Sequence, residues 1–268
     1  MRPLARLALL AACLNMSPAW AKGPVPATAA VVRCADTSAG GDVLQAVERD
    51  FKPGVAPRLF LALGKDRHAL LKKLLAAGDD PNICHAGLSP LIMAVGSGDF
   101  QAVKLLLDAG ARLDNPRDSN GGTALHYALS TPPLEMATLL LERGADPQVL
   151  NAGRMTTLHS LALQPLPAAP QRAVQVALAS RLLRQGVAVD AVHLQGSTAL
   201  HMAVSVGNLD LMNLLLEHGA NPALRNKRGE DALACARRGG HAALAARLEQ
   251  HLAGKKTSVA APASAARQ

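Results

Sequence analysis

The chain has 268 residues, of which 49% are apolar and only 2% aromatic, and its formal net charge is +8. Alanine and leucine supply most of the apolar content, which favours closely packed helices over a β-barrel or β-sandwich. Once two arginines near the start and the basic tail are set aside, the remaining net charge is +3. The few aromatic side chains offer little surface on which nucleobases could stack. We therefore expect no nucleic-acid partner.

The first 21 residues are predicted to be a cleaved secretory signal peptide. A basic start at residues 1–6 precedes an apolar run at 7–16, and Ala19 and Ala21 form the small-x-small pattern of a cleavage site. The apolar run is shorter than the about 20 residues that a membrane-spanning helix needs. A lipoprotein processing box ending at Cys13 is the alternative. We expect a periplasmic protein without a membrane-spanning helix.

Residues 22–55 are predicted to form an N-terminal segment with a capping helix. The segment begins rich in alanine and proline, and residues 41–50 have the composition of a helix that covers the first repeat. Residues 51–54 include a proline and a glycine, which end that helix.

Two sequence strings alternate between residues 56 and 252 with a period near 33. In the first string, a threonine is followed three residues later by a histidine, which places both side chains on one face of a helix. The pairs are Thr123 with His126, Thr156 with His159, and Thr198 with His201. The second string is a leucine triplet followed by a glycine, a pattern that predicts a helix and its C-terminal cap.

These strings, at this period, resemble the ankyrin repeat. The resemblance implies an all-α solenoid of about six helix-turn-helix units joined by finger turns, because one helix pair cannot bury its own apolar face. The expected units span residues 57–86, 87–120, 121–153, 154–195, 196–228 and 229–252. Residues 253–268 are predicted to be a disordered tail.

The repeated threonine–histidine pairs are interpreted as structural. In ankyrin repeats such a pair ties the first helical turn to the neighbouring unit, and a residue that recurs once per unit serves the scaffold. Metal-binding, phosphate-binding and nucleophile motifs are missing from the sequence. We therefore predict no catalytic residue, no cofactor and no metal site, and a protein that is not an enzyme.

The cysteines are assigned different states. Cys34 and Cys84 are predicted to pair, since both fall at the same end of the array and an oxidising periplasm permits disulfides. Cys235 falls on the first helix of the last unit and is predicted to be a buried free thiol.

The unit at residues 154–195 carries nine extra residues around the proline-rich stretch 165–170. Two interpretations stay open for this stiff surface loop: tolerated drift, and a contact specific to the partner.

The resemblance also implies a partner-binding face, because ankyrin arrays bind through their finger turns and the exposed start of each first helix. Three of its members, Leu88, Met155 and Leu194, are apolar and are predicted to form a solvent-facing strip. The whole predicted face consists of His85, Leu88, Ser119, Asn120, Met155, Leu194, Gln195, Ser197, Lys227, Arg228 and Glu230.

The predicted function is that of a monomeric, non-catalytic scaffold that binds another protein in the periplasm. Two roles fit, a helper of an enzyme and a neutraliser of a toxin. The alternatives are an exported effector that binds host proteins and an enzyme built on a repeat scaffold.

Overall fold

The computed structural model describes residues 57–64, 66–85, 87–114, 118, 120–165 and 169–259. The predicted signal peptide, the N-terminal segment with its capping helix, Cys34 and Ser119 lie outside these residues.

Helices follow one another in pairs, and the described residues contain no β-strand. This pattern confirms the predicted all-α fold of helix-turn-helix units. The pairs are α1 (Arg58–Leu61) and α2 (His68–Ala76), α3 (Pro90–Gly96) and α4 (Phe100–Asp108), α5 (Ala124–Ser130) and α6 (Glu135–Glu142), α7 (Thr157–Ala162) and α8 (Ala169–Arg184), α9 (Ala199–Ser205) and α10 (Leu209–Glu217), and α11 (Ala232–Arg238) and α12 (Ala242–Val259).

The chain divides into two compact modules. The described part of the first module is residues 57–161 and 185–187; that of the second is residues 162–184 and 188–259. In the first module α3 contacts α4 and α5, and α2 contacts α4. In the second, α9 contacts α10 and α11, and α8 contacts α10. First helices thus pack on first helices and second helices on second helices, as a repeat array requires.

Side-chain caps fix where the helices begin. The Ser89 hydroxyl accepts the Ile92 N–H at 3.2 Å, and Pro90 occupies the first helical position, which needs no N–H donor. Asp99 and Asn208 cap α4 and α10 in the same way. These caps satisfy N–H groups that would otherwise lack a partner at the start of each helix.

Helix α10 shows how a second helix buries one apolar stripe. In α10 the buried residues are Leu211, Met212, Leu215 and Leu216, a spacing that matches one face of a helix. Full burial of each such side chain contributes about 1.5–3 kcal/mol, so the stripe holds α10 against its neighbours.

Two helix boundaries differ from the prediction. Residues 169 and 170, assigned to the proline-rich loop, form the first turn of α8, since proline is accepted in the first turn of a helix. The last helix reaches Val259, although a disordered tail was predicted from residue 253. The lysines near its end favour a helix C-terminus through the helix dipole.

Candidate protein-binding surface

The finger turns are the six residues before each helix-opening Ser, Thr or Asp. By position they are residues 83–88, 117–122 and 150–155 in the first module, and 192–197 and 225–230 in the second; of these, residues 86, 117 and 119 lie outside the described residues. Two residues before the cap, φ is positive, with values of 70° to 75° at Gly87, Gly121, Gly196 and Gly229. The turn at 150–155 has Arg154 there instead, at φ 57°. A non-glycine residue is strained in this left-handed region.

Neighbouring turns are joined tip to tip by backbone hydrogen bonds. In the first module the Ala152 N–H donates to the Asn120 carbonyl at 2.7 Å. In the second module the Lys227 N–H donates to the Gln195 carbonyl at 3.0 Å. Each of these two pairs of tips is therefore held together rather than forming separate loops.

The threonine–histidine pairs have the predicted geometry. The Oγ1 to Nδ1 distances are 2.9 Å for Thr123 and His126, 2.8 Å for Thr156 and His159, and 2.9 Å for Thr198 and His201. All six side chains are buried.

The pair at Thr198 shows how a turn is tied to the next repeat. His201 Nδ1 accepts the Thr198 backbone N–H at 3.2 Å, so the ring proton lies on Nε2. Nε2 then donates to the Glu230 carbonyl at 3.1 Å. His126 reaches the Met155 carbonyl at 3.3 Å in the same manner.

This geometry opposes a catalytic role for these threonines. A nucleophilic hydroxyl must be reached by a substrate, whereas the Thr198 side chain is fully buried. The Thr198 hydroxyl oxygen already accepts the backbone N–H of His201 at 3.4 Å. The pair acts as a helix cap and a link between repeats.

Two imidazoles of the second module, His193 and His201, favour the neutral form. Burial lowers the pKa of His201, although hydrogen bonds with the Glu230 and Leu224 backbones act in the opposite direction. Burial, together with the nearby His201 ring, also lowers the pKa of His193. The His193 Nδ1 atom accepts the Gln195 N–H at 3.0 Å and so supports a fingertip directly.

A tyrosine–carboxylate pair supports the turn at residues 117–122. The Tyr127 hydroxyl donates to Asp118 Oδ2 at 2.6 Å. Burial and the adjacent Asp118 carboxylate raise the pKa of Tyr127 well above its ordinary value, which keeps the phenol protonated as a donor.

The prediction that Leu88, Met155 and Leu194 form a solvent-facing apolar strip is wrong for Met155. Met155 is only 8% exposed and so lies outside any solvent-facing strip. Leu88 and Leu194 are half-buried rather than open to solvent. His85 is also half-buried, and its ring packs edge-on against Phe60 with the centroids 5.4 Å apart.

The other predicted contact residues differ in exposure. Asn120, Gln195, Lys227 and Arg228 are exposed, whereas Ser197 and Glu230 are half-buried. The predicted face thus contains both exposed and half-buried members.

The exposed apolar side chains of the turns lie at a register that the sequence prediction missed. Ile83 is 36% exposed, Leu150 42% and Val192 44%, and each lies six residues before its helix cap. Aligning the repeats on Ser89, Thr156 and Thr198 would have revealed this register, since an apolar residue recurs there.

The described cysteines have distinct states. Cys84 is disulfide-bonded, and Cys235 is a buried free thiol, as predicted. Burial, with Glu230 nearby, raises the pKa of the Cys235 thiol, which makes it a poor nucleophile. The predicted partner Cys34 lies outside the described residues, so the Cys34–Cys84 pairing stays a prediction.

Within the described residues, no three side chains of the metal-ligating types converge on a site for an ion. The helices described include none with the length and apolarity to cross a membrane.

Comparison with known proteins supports the repeat assignment. The family model for ankyrin repeats (3 copies) matches residues 59–151 and 168–257. The human ankyrin repeat and MYND domain-containing protein 1 is 33% identical over 195 residues, which cover 65% of this chain and 20% of that protein.

Two further relatives show the same partial coverage. The potassium channel AKT2/3 of Arabidopsis thaliana is 33% identical, over 66% of this chain and 21% of its own length. The mouse B-cell lymphoma 3 protein homolog is 32% identical, over 63% of this chain and 37% of its own length. The chain thus spans a fifth to just over a third of these relatives. On the family match, the chain belongs to the ankyrin-repeat family.

Proposed function

We propose that this chain is a monomeric, non-catalytic scaffold that binds another protein in the periplasm through its finger turns. The observation that carries the proposal is the tip-to-tip bonding of neighbouring turns, at Asn120 and Ala152 and at Gln195 and Lys227. A surface held in place before binding loses little conformational entropy when a partner docks.

Exposed side chains on these turns supply the contacts. Leu150 and Val192 offer apolar area, while Asn120 and Gln195 offer amide groups beside it. Apolar contacts with polar groups around them are the usual composition of a protein interface.

The leader composition supports export. Residues 1–21 combine a basic start, an apolar run and a small-x-small cleavage pattern. The disulfide at Cys84 agrees with an oxidising compartment, in which such bonds persist.

Affinity purification from the periplasmic fraction of its own cells tests this function. Leu150→Asp combined with Val192→Asp charges the turns, and Leu209→Asp is the matched control, since Leu209 is 38% exposed at the start of α10. Thermal unfolding of each variant verifies its fold.

We expect one protein to be recovered in near-equal amounts with the original chain and with the Leu209→Asp control, and to be lost with the double variant. If the recovered protein is a resident enzyme, the helper role is indicated; if it is an imported toxin, the neutraliser role is indicated. Recovery of no protein, or equal recovery with the double variant, contradicts the proposal.

A further inference from the structure

The last finger turn, residues 225–230, is a rigid projection that we call the basic fingertip. Its ends are paired, because the Asn226 N–H donates to the Glu230 carbonyl at 3.0 Å. The Asn226 side-chain oxygen accepts the N–H groups of Arg228 and Glu230 at 2.9 Å and 3.1 Å. These bonds fix the tip without using the side chains of Lys227 and Arg228.

The basic fingertip carries an excess of positive charge at its end. Arg225, Lys227 and Arg228 are all exposed. The one acid of the turn, Glu230, is held by Arg238, whose Nε lies 2.8 Å from the carboxylate. That ion pair neutralises Glu230 within the molecule. The Arg225 guanidinium donates to the Gly229 carbonyl at 3.1 Å but stays exposed, so all three cations keep their charge at the surface.

An exposed apolar side chain lies at the matching position of the neighbouring turn. Val192, 44% exposed, and Arg225 each lie six residues before the cap of their helix, Thr198 and Asp231. The bond from the Lys227 N–H to the Gln195 carbonyl fixes these two turns side by side. The surface therefore offers cations next to one apolar contact.

We propose that the basic fingertip and Val192 form the docking site for an acidic protein segment that carries an apolar side chain. Lys227, Arg228 and Arg225 bind carboxylates, and Val192 contacts the apolar residue. Charge complementarity selects such a segment, and opposite charges also speed its encounter with the site. The inference rests on the proposed protein-binding function and names the chemistry of the partner.

A nucleic acid is the poorer match for these cations. The chain has no Phe, Tyr or Trp after Tyr127, so the second module lacks an aromatic platform on which bases stack. An oligonucleotide therefore serves as a competing ligand in the test.

Fluorescence anisotropy with the full chain tests the site. The probes are a labelled peptide of the sequence EELEELEE, the same peptide with each Glu replaced by Gln, and a twelve-residue oligothymidylate. The variant is Lys227→Glu combined with Arg228→Glu. The control is Lys72→Glu combined with Lys73→Glu, an adjacent exposed pair on α2 that undergoes the same change in charge.

We expect the acidic peptide to bind in low salt, and the fingertip variant to weaken it about tenfold, since two reversals replace attraction by repulsion. The control changes affinity less than about twofold, and raising the salt weakens binding because exposed charges are screened.

Equal losses in both variants would mean that only net charge matters and would overturn the proposal. Binding of the glutamine peptide or of the oligonucleotide as tightly as the acidic peptide would overturn it too. If the fingertip variant still recovers the periplasmic partner that Leu150→Asp with Val192→Asp loses, the scaffold function stands and the acidic-segment inference fails.

Discussion

Replacing Arg154 by glycine is expected to stabilise the protein. Arg154 has φ 57° at the turn position that glycine occupies in the other four finger turns. Its side chain is exposed, and its backbone N–H donates to the Asn151 carbonyl at 2.9 Å, a bond that glycine keeps. The substitution therefore removes strain and loses little else.

The expected gain follows from two opposing contributions. A non-glycine residue in the left-handed region costs about 1–2 kcal/mol. Glycine makes the unfolded chain more flexible, which costs about 0.4–1 kcal/mol. The net stabilisation is about 0.5–1 kcal/mol, or a rise of roughly 1–4 °C in Tm for a chain of this size.

Urea and thermal unfolding, followed by circular dichroism, measure this gain. Arg154→Ala is the matched control, since it removes the side chain but keeps the strained backbone, and we expect no gain. Gly229→Ala makes the opposite change at φ 74°, where an added Cβ would meet no atom within 4 Å, and it lowers stability. A gain in Arg154→Ala equal to that of glycine, or no loss in Gly229→Ala, would refute the strain argument.

Three further predictions concern histidine protonation, the buried Met155 and the predicted disulfide. Stability falls as pH drops below about 6.5, the ordinary pKa of histidine, because the folded state disfavours protonation of His193 and His201; a flat urea-unfolding series from pH 7.5 to 5 would contradict this. Met155→Ala lowers the free energy of unfolding by about 2 kcal/mol, whereas Gln195→Ala stays within about 0.5 kcal/mol; equal effects would mean that Met155 is not buried in solution. Cys34→Ser and Cys84→Ser each cost up to about 4 kcal/mol, and the double variant costs no more than either; additive losses would exclude a shared bond.

Much of the fold could be predicted from the sequence because each repeat uses the same residues for the same task. Thr123, Thr156 and Thr198 open helices with a histidine three residues on, so the spacing alone predicts the pairs. The Met155 side chain could not be placed in this way. Its turn has the same left-handed backbone as the other turns, so neither the motif nor the turn geometry distinguishes its burial from the half-burial of Leu88 at the same position.

The binding surface was predicted only in part, for a physical reason. Motif position specifies where a residue lies on a turn, but exposure depends on how neighbouring turns pack. Gln195, Lys227 and Arg228 are exposed at the tips as expected, while Leu88 and Leu194 are half-buried. Leu150 and Val192 are instead exposed six residues before each cap, a register visible only after aligning the repeats.

The most direct test of the scaffold function is photo-cross-linking in living cells. A photoreactive amino acid is placed at Gln195, on a fingertip of the second module, and separately at Leu209, at the start of α10. The account predicts one discrete cross-linked protein from position 195 and none from position 209. Equal cross-linking from both positions, or none from either, would contradict the assignment of the finger turns as the binding surface.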